Sequence, residues 1–238
     1  MMTIVKRVSP GPIAVVVLLS AAVFEGRAAA DDTAGLYVGG NLGRTLSTYS
    51  RSALDETLVS ADNGEGYTLT VDAAFVHHQQ AVWSADIGYM VSPYFGVETS
   101  YLDLARLRYF AHGSEVYAAA PYLGSSPLAA NLDIASRGPT LALIGALPMT
   151  NDWSVNARVG AYEGKSTSDY RFMAGSNVSE GSESDSSTSL LAGAGTTYVL
   201  GAHWVLRLDY LYLDQIKEKV FGKSFNVSLV TAGVAYAF

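Results

Sequence analysis

Trp204-Val205-Leu206-Arg207-Leu208-Asp209-Tyr210-Leu211-Tyr212 decides the fold class. Trp204, Leu206, Leu208, Tyr210 and Tyr212 fall on one side of an alternating pattern; Val205, Arg207, Asp209 and Leu211 fall on the other. A period of two belongs to a strand, whose successive side chains point to opposite faces. The apolar side has aromatics at its ends and aliphatics in its middle. Its eight steps of ~3.3 Å, tilted by ~40°, rise about 20 Å, close to the lipid-facing band of a membrane barrel between its aromatic girdles.

The same test succeeds elsewhere. In 153–161 an outer set of Trp153, Val155, Ala157, Val159 and Ala161 opposes Ser154, Asn156, Arg158 and Gly160. In 95–101 Phe95, Val97, Thr99 and Tyr101 oppose Gly96, Glu98 and Ser100. Alternation predicts eight strands near 35–44, 80–91, 95–107, 136–148, 153–165, 188–200, 204–215 and 224–238. Short connections at 92–94, 149–152 and 201–203 alternate with long ones at about 45–79, 108–135 and 166–187. Tight turns on one rim and long loops on the other describe an all-β, eight-stranded antiparallel up-and-down barrel crossing a membrane, its long loops extracellular. Gly39, Gly43, Gly88, Gly96, Gly160, Gly164, Gly193, Gly195 and Gly233 share the polar face, where a narrow interior leaves space only for side chains. A soluble eight-stranded carrier would need the reverse arrangement, with the aromatic face lining a cavity.

The N-terminus explains how such a chain leaves the cytoplasm. Lys6 and Arg7 precede an apolar run from Ile13 to Phe24, and Ala28-Ala29-Ala30 offers a small-x-small cleavage site. This is the pattern of a secretory signal peptide over 1–30, with 31–238 as the mature barrel domain. Among 238 residues there are 15 basic against 22 acidic ones and a net charge of −7, which excludes nucleic-acid binding through a general basic surface. The absence of cysteine excludes disulfides, thiol catalysis and thiolate zinc sites.

The chain ends Val230-Thr231-Ala232-Gly233-Val234-Ala235-Tyr236-Ala237-Phe238, with Val234, Tyr236 and Phe238 on one face. That terminal aromatic face looks like the assembly signal of bacterial outer-membrane barrels. The chain as a whole resembles the small outer-membrane β-barrel family typified by the OmpA transmembrane domain. The resemblance is carried by Leu36 to Gly43, Ile87 to Glu98, Pro148 to Gly160, Tyr198 to Tyr210 and the final strand. It implies a barrel in the outer membrane of a Gram-negative bacterium, the free version without a following peptidoglycan-binding domain. The partners implied are outer-membrane lipids and lipopolysaccharide, the barrel-assembly machinery, and a host or surface ligand reached through the loops, with no nucleic acid.

Asp86, Glu98, Arg158, Arg207 and Asp209 all fall on the inward face at similar heights above the short turns. Enclosed charges must be paired, because an unpaired one costs several kcal/mol on leaving water. The resemblance implies that Glu98 and Arg207 close the lumen. A second pair of that pattern, lysine with glutamate, is replaced by Ile144 and Thr197, which counts against an alternative, open pairing. The sequence therefore favours a plugged polar lumen in a structural or surface protein over a narrow porin-like channel gated by Glu98 and Arg207. A lipid-modifying or proteolytic barrel enzyme is the third reading. It would draw on His77, His78, His112 or His203 with Ser84 or Asp72, none at a motif spacing. No catalytic residue, metal site or cofactor is expected. Ser168 to Ser187, with Glu180, Glu183 and Asp185, reads as a solvated loop able to carry recognition.

Overall fold

The computed structural model describes residues 35–46, 67–78, 81–117, 124–218 and 223–238. The expected signal peptide over 1–30 lies outside these residues. Among the described residues there are nine strands: β1 (Gly35–Thr45), β2 (Tyr67–His78), β3 (Ala81–Ser92), β4 (Phe95–Tyr117), β5 (Gly124–Pro148), β6 (Trp153–Ala174), β7 (Asn177–Leu200), β8 (Trp204–Glu218) and β9 (Lys223–Ala237). Eight of them close a ring in the order β1-β3-β4-β5-β6-β7-β8-β9, and β9 pairs back to β1 through Tyr37↔Ala237 to Thr45↔Leu229. Closure leaves no sheet edge around the ring, the condition for strands to cross a lipid bilayer.

The alternation of the sequence becomes two faces. Leu143, Val159, Leu190, Trp204, Leu206, Leu208 and Tyr210 point outward and are exposed, although apolar. Phe95, Trp153, Tyr198, Trp204 and Phe238 mark the rim of short turns, and Trp83, Tyr101 and Tyr210 mark the other end of the apolar band. Above that end the outward positions turn polar, at Arg44 on β1, Arg137 on β5, and Glu163 and Lys165 on β6.

The strands do not stop there. Within the segments expected as long loops at 108–135 and 166–187, residues 108–117, 124–135, 166–174 and 177–187 are paired strand. The β4–β5 pairing continues to Tyr117↔Gly124, and the β6–β7 pairing to Ala174↔Asn177. Gly175 turns the latter at φ +58°, where a side chain is disfavoured, and its N–H donates to the Pro127 carbonyl at 3.0 Å. β2 falls within the connection expected over 45–79 and pairs with the upper part of β4, from Tyr67↔Tyr117 to His78↔Leu107. The physical reason is shared. Beyond the membrane each hairpin keeps its backbone hydrogen bonds, and the face continuous with the lumen buries a second apolar cluster. Ala74, Tyr109, Ala111, Ala130, Leu132 and Ile134 form it, with Tyr170 and Phe172 against it. A bulge between Leu104 and Leu107 shifts β4 by one residue, so Leu102 and Leu104 face inward below it and Tyr109 and Ala111 above it.

The terminal residue sits in the closing seam. The Phe238 N–H donates to the Leu36 carbonyl at 3.0 Å, and the Ala237 N–H to the His203 carbonyl at 2.8 Å. Tyr236 packs edge-on against both Trp204 and Phe238, with centroids 5.3 and 5.2 Å apart. Replacing Phe238 by Asp is therefore expected to lower the yield of barrel refolded into lipid vesicles, read as heat-dependent mobility in detergent gels. Shortening the β6–β7 hairpin tip is expected to leave that yield unchanged. Equal yields from the two variants would contradict a special role for the terminal aromatic face.

Candidate functional site

The strongest concentration of chemistry lies inside the ring, and small residues make it possible. A Cβ on Gly88 would run into the Tyr37 ring, one on Gly195 into the Asp209 carboxylate, and one on Gly233 into the Asn41 amide. Each large polar group thus lies over a glycine on a neighbouring strand. An eight-stranded interior has room for side chains but not for bulk water, so each inserted group needs such a space.

In the space so provided, Glu98 on β4 sits between Arg207 from β8, directly across the ring, and Arg158 from β6, two strands away. Its Oε1 accepts from Arg158 Nη1 at 2.9 Å, and its Oε2 lies 2.8 Å from Arg207 Nη1. The Tyr37 hydroxyl donates to the same Oε2 at 2.7 Å, and the Arg207 guanidinium lies 5.7 Å from the centre of the Tyr37 ring. Asp209 bridges the arginines from β8, with Oδ1 2.8 Å from Arg158 Nη2 and Oδ2 3.5 Å from Arg207 Nη2. Asp86 on β3 lies 3.4 Å from Arg207 Nη1, and Ser84 and Asn41 both donate to its carboxylate.

The five charged residues read from the sequence thus occupy one network, and all are buried. Two guanidiniums face three carboxylates; Tyr37 and Asn41 add neutral donors to oxygens that Arg207 also approaches, and Ser84 satisfies the Asp86 Oδ1 that no arginine reaches. Arg158 binds Glu98 as directly as Arg207 does. Tyr37 and Asn41 were missed by the sequence argument, although a bulky inward residue facing glycine on the next strand was a usable signal: Tyr37 pairs with Gly88, and Asn41 with Gly233.

A second layer lies above the network. One to three inward positions further up each strand, Val82, Leu102, Leu104, Tyr162, Leu191, Leu211, Leu213, Val227 and Leu229 form a buried apolar cluster across the lumen. Below the network a cavity of about 170 Å³ opens towards the short turns, lined in part by Ile144, Thr197 and the two arginines. Beside the network itself the free volume is about 10 Å³. The polar layer is therefore capped on one side by apolar side chains and open on the other to a small vestibule.

Among the described side chains, His112 and His203 do not gather into a second site. His203 lies at the rim of short turns, stacked on Tyr236 with its Nδ1 3.0 Å from the Ala237 carbonyl. His112 is exposed on β4, Asp72 is exposed on β2, and the side chains of His77 and His78 lie outside the described set. Ser84 is held by Asp86 inside the barrel. Among the described residues no three His, Asp or Glu side chains converge as metal ligands would.

The family model of the OmpA-like transmembrane domain matches residues 30–238. The chain belongs to this family. It is an integral β-barrel protein of the bacterial outer membrane. Outer membrane protein A of Serratia marcescens is 27% identical over 176 residues, which is 74% of this chain and 44% of the Serratia protein. The chain thus spans less than half the length of that relative. Ail of Yersinia pestis, solved with the heparin analogue sucrose octasulfate, is similar at 17% identity and TM-score 0.40, over 86% of this chain and 99% of its own. OprG of Pseudomonas aeruginosa is similar at 16% and 0.43, over 87% and 97%. The Escherichia coli outer membrane protease OmpT is similar at 11% and 0.43, over 86% and 94%.

For this OmpA-like barrel the network makes a quantitative demand. Replacing Arg207 by Gln leaves Asp86 without its cation and Glu98 and Asp209 with one each, at an expected cost on the order of 3 kcal/mol. Pairing Glu98→Gln with Arg207→Gln should cost less than the sum of the single changes by roughly 1 kcal/mol. Arg158 should show a coupling of similar size, because it holds Glu98 equally closely. Urea unfolding in lipid vesicles measures both cycles, and strictly additive losses would mean that these side chains do not share a network.

Proposed function

We propose that the barrel is a closed anchor that holds a rigid β-sheet platform outside the cell, and that its lumen is a plug. The observation that carries this reading is the apolar layer stacked on the charge network. A gate built from Glu98 and Arg207 would have to rearrange an ion-pair network and then wet a second barrier. Each leucine exposed to water costs about 2 kcal/mol, so hydrating the six leucines of that layer adds on the order of 10 kcal/mol. No rearrangement of one ion pair offsets a term of that size. The two-layer interior thus supports plugging over the channel reading.

The extended hairpins support the other half of the proposal. Paired as far as Tyr117↔Gly124 and Ala174↔Asn177, they present side chains from a stiff sheet, a better surface for recognition than an irregular loop. The convex side of that sheet, facing away from the Tyr109 cluster, is the side offered to a host or surface ligand. The terminal face of Val234, Tyr236 and Phe238 lies at the rim of short turns, where the barrel-assembly machinery would meet it.

Planar-bilayer conductance tests the plug. The wild-type barrel is expected to show no discrete steps, and Arg207→Ala is expected to leave that baseline unchanged. Steps are expected only when Leu102, Leu213 and Leu229 are also changed to Ser, in protein whose heat-dependent mobility verifies folding. Steps from wild type, or from Arg207→Ala alone, would contradict the plug and favour the gate.

A further inference from the structure

Directly above the lipid-facing band on one side of the barrel stand three cations. Arg137 on β5 and Lys165 on β6 are exposed and directly opposite in register, the first outward basic positions beyond Pro139 and Ala161. Arg106, also exposed, lies on the adjacent β4 within the bulge between Leu104 and Leu107. Like charges placed directly across a pair of strands destabilise the sheet. The cations higher on the same face are neutralised, since Arg108 pairs with Asp133 at 3.1 Å and Arg171 with Glu180 at 4.0 Å. Arg106, Arg137 and Lys165 make no ion pair among the described residues. Asp103, opposite Arg137, and Glu163, two residues from Lys165, stand close by without engaging them.

We propose that Arg106, Arg137 and Lys165 form a clamp for the phosphate of a phosphorylated glycolipid in the leaflet that the strand extensions face. Height is the first argument. The three residues begin where the outward apolar stripe ends, at Tyr101, Pro139 and Ala161, which is the level of lipid headgroups rather than of acyl chains or free solvent. Chemistry is the second. Two guanidiniums offer forked donors that match phosphate oxygens, and the lysine adds a point charge. Position is the third, because the outward side chains of 139–147 and 153–161 below the clamp are largely apolar and would contact the acyl chains of the same molecule. The assignment rests on the outer-membrane location and on the extensions lying outside. It names the phosphate as the part of lipopolysaccharide that the barrel grips.

The test uses the folded full-length mature chain in zwitterionic detergent micelles, titrated with bisphosphorylated lipid A. Wild type is expected to bind it, and Arg106→Gln/Arg137→Gln/Lys165→Gln to bind at least about tenfold more weakly. Arg171→Gln, removing a cation already paired higher on the sheet, is expected to bind as wild type does. Lipid A stripped of its phosphates should lose the same affinity against wild type as the triple variant loses against the bisphosphorylated form. Inorganic pyrophosphate should bind far more weakly than the lipid. Equal binding by the triple variant, or indifference to removal of the phosphates, would overturn the clamp. Pyrophosphate binding as tight as lipid A would overturn its assignment to a lipid. Heat-dependent mobility is recorded on each sample, so loss of the barrel itself is distinguished from loss of the site.

Discussion

An eight-stranded ring has an interior in which every charged side chain must find its counter-charge among other side chains, because bulk water does not fit. Much of this protein follows from that constraint. Glu98 cannot be enclosed without Arg158 and Arg207, the arginines cannot be enclosed without Asp209 and Asp86, and the extra carboxylate requires Asn41 and Ser84. The glycines follow in turn, since Tyr37, Asn41 and Asp209 reach the centre only where Gly88, Gly233 and Gly195 make way. A side chain at Gly195 would push on the Asp209 carboxylate of the neighbouring strand and so on its ion pair with Arg158.

The interior is graded along its axis. The vestibule nearest the short turns is followed by the charge network and then by leucine, valine and tyrosine. Beyond the membrane the inward face becomes apolar again around Tyr109 and Leu132, so the same strands that line the barrel also support the projecting sheet. That sheet has open edges where the ring has none. Along 177–189, β7 pairs only with β6 among the described residues. Glu180, Glu183 and Asp185 lie on this strand, where charge discourages pairing with another chain.

Period-two alternation made the membrane strands legible, because a lipid-facing stripe opposite a polar stripe leaves an unambiguous pattern in residues such as 153–161 and 204–212. The same rule was silent for the extensions. From Asn177 to Ser187 both faces of β7 are dominated by Ser, Glu and Asp, and only pairing with β6 holds the segment as a strand. β2 was hidden by its bulge between Val71 and Ala73 and by its place inside a long connection. The charged lumen residues were legible by face and height. The apolar layer was not, because Tyr210-Leu211-Tyr212-Leu213 and Leu190-Leu191 are apolar on both faces, and alternation cannot distinguish a lipid contact from a plug. An unbroken apolar run at the upper end of several strands was the signal available.

The claim that two stacked layers close this lumen is tested most directly by thiol accessibility, for which a chain without cysteine is suited. Three single variants in vesicles of one orientation sample three depths: Thr197→Cys in the vestibule, Thr140→Cys between the layers and Glu183→Cys, exposed on β7 above them. A membrane-impermeant maleimide is predicted to label Thr197→Cys only from the side of the short turns and Glu183→Cys only from the opposite side. Thr140→Cys is predicted to stay unlabelled from both until the barrel is unfolded. Labelling of Thr140→Cys in the folded barrel, or of either other position from both sides, would contradict a sealed lumen.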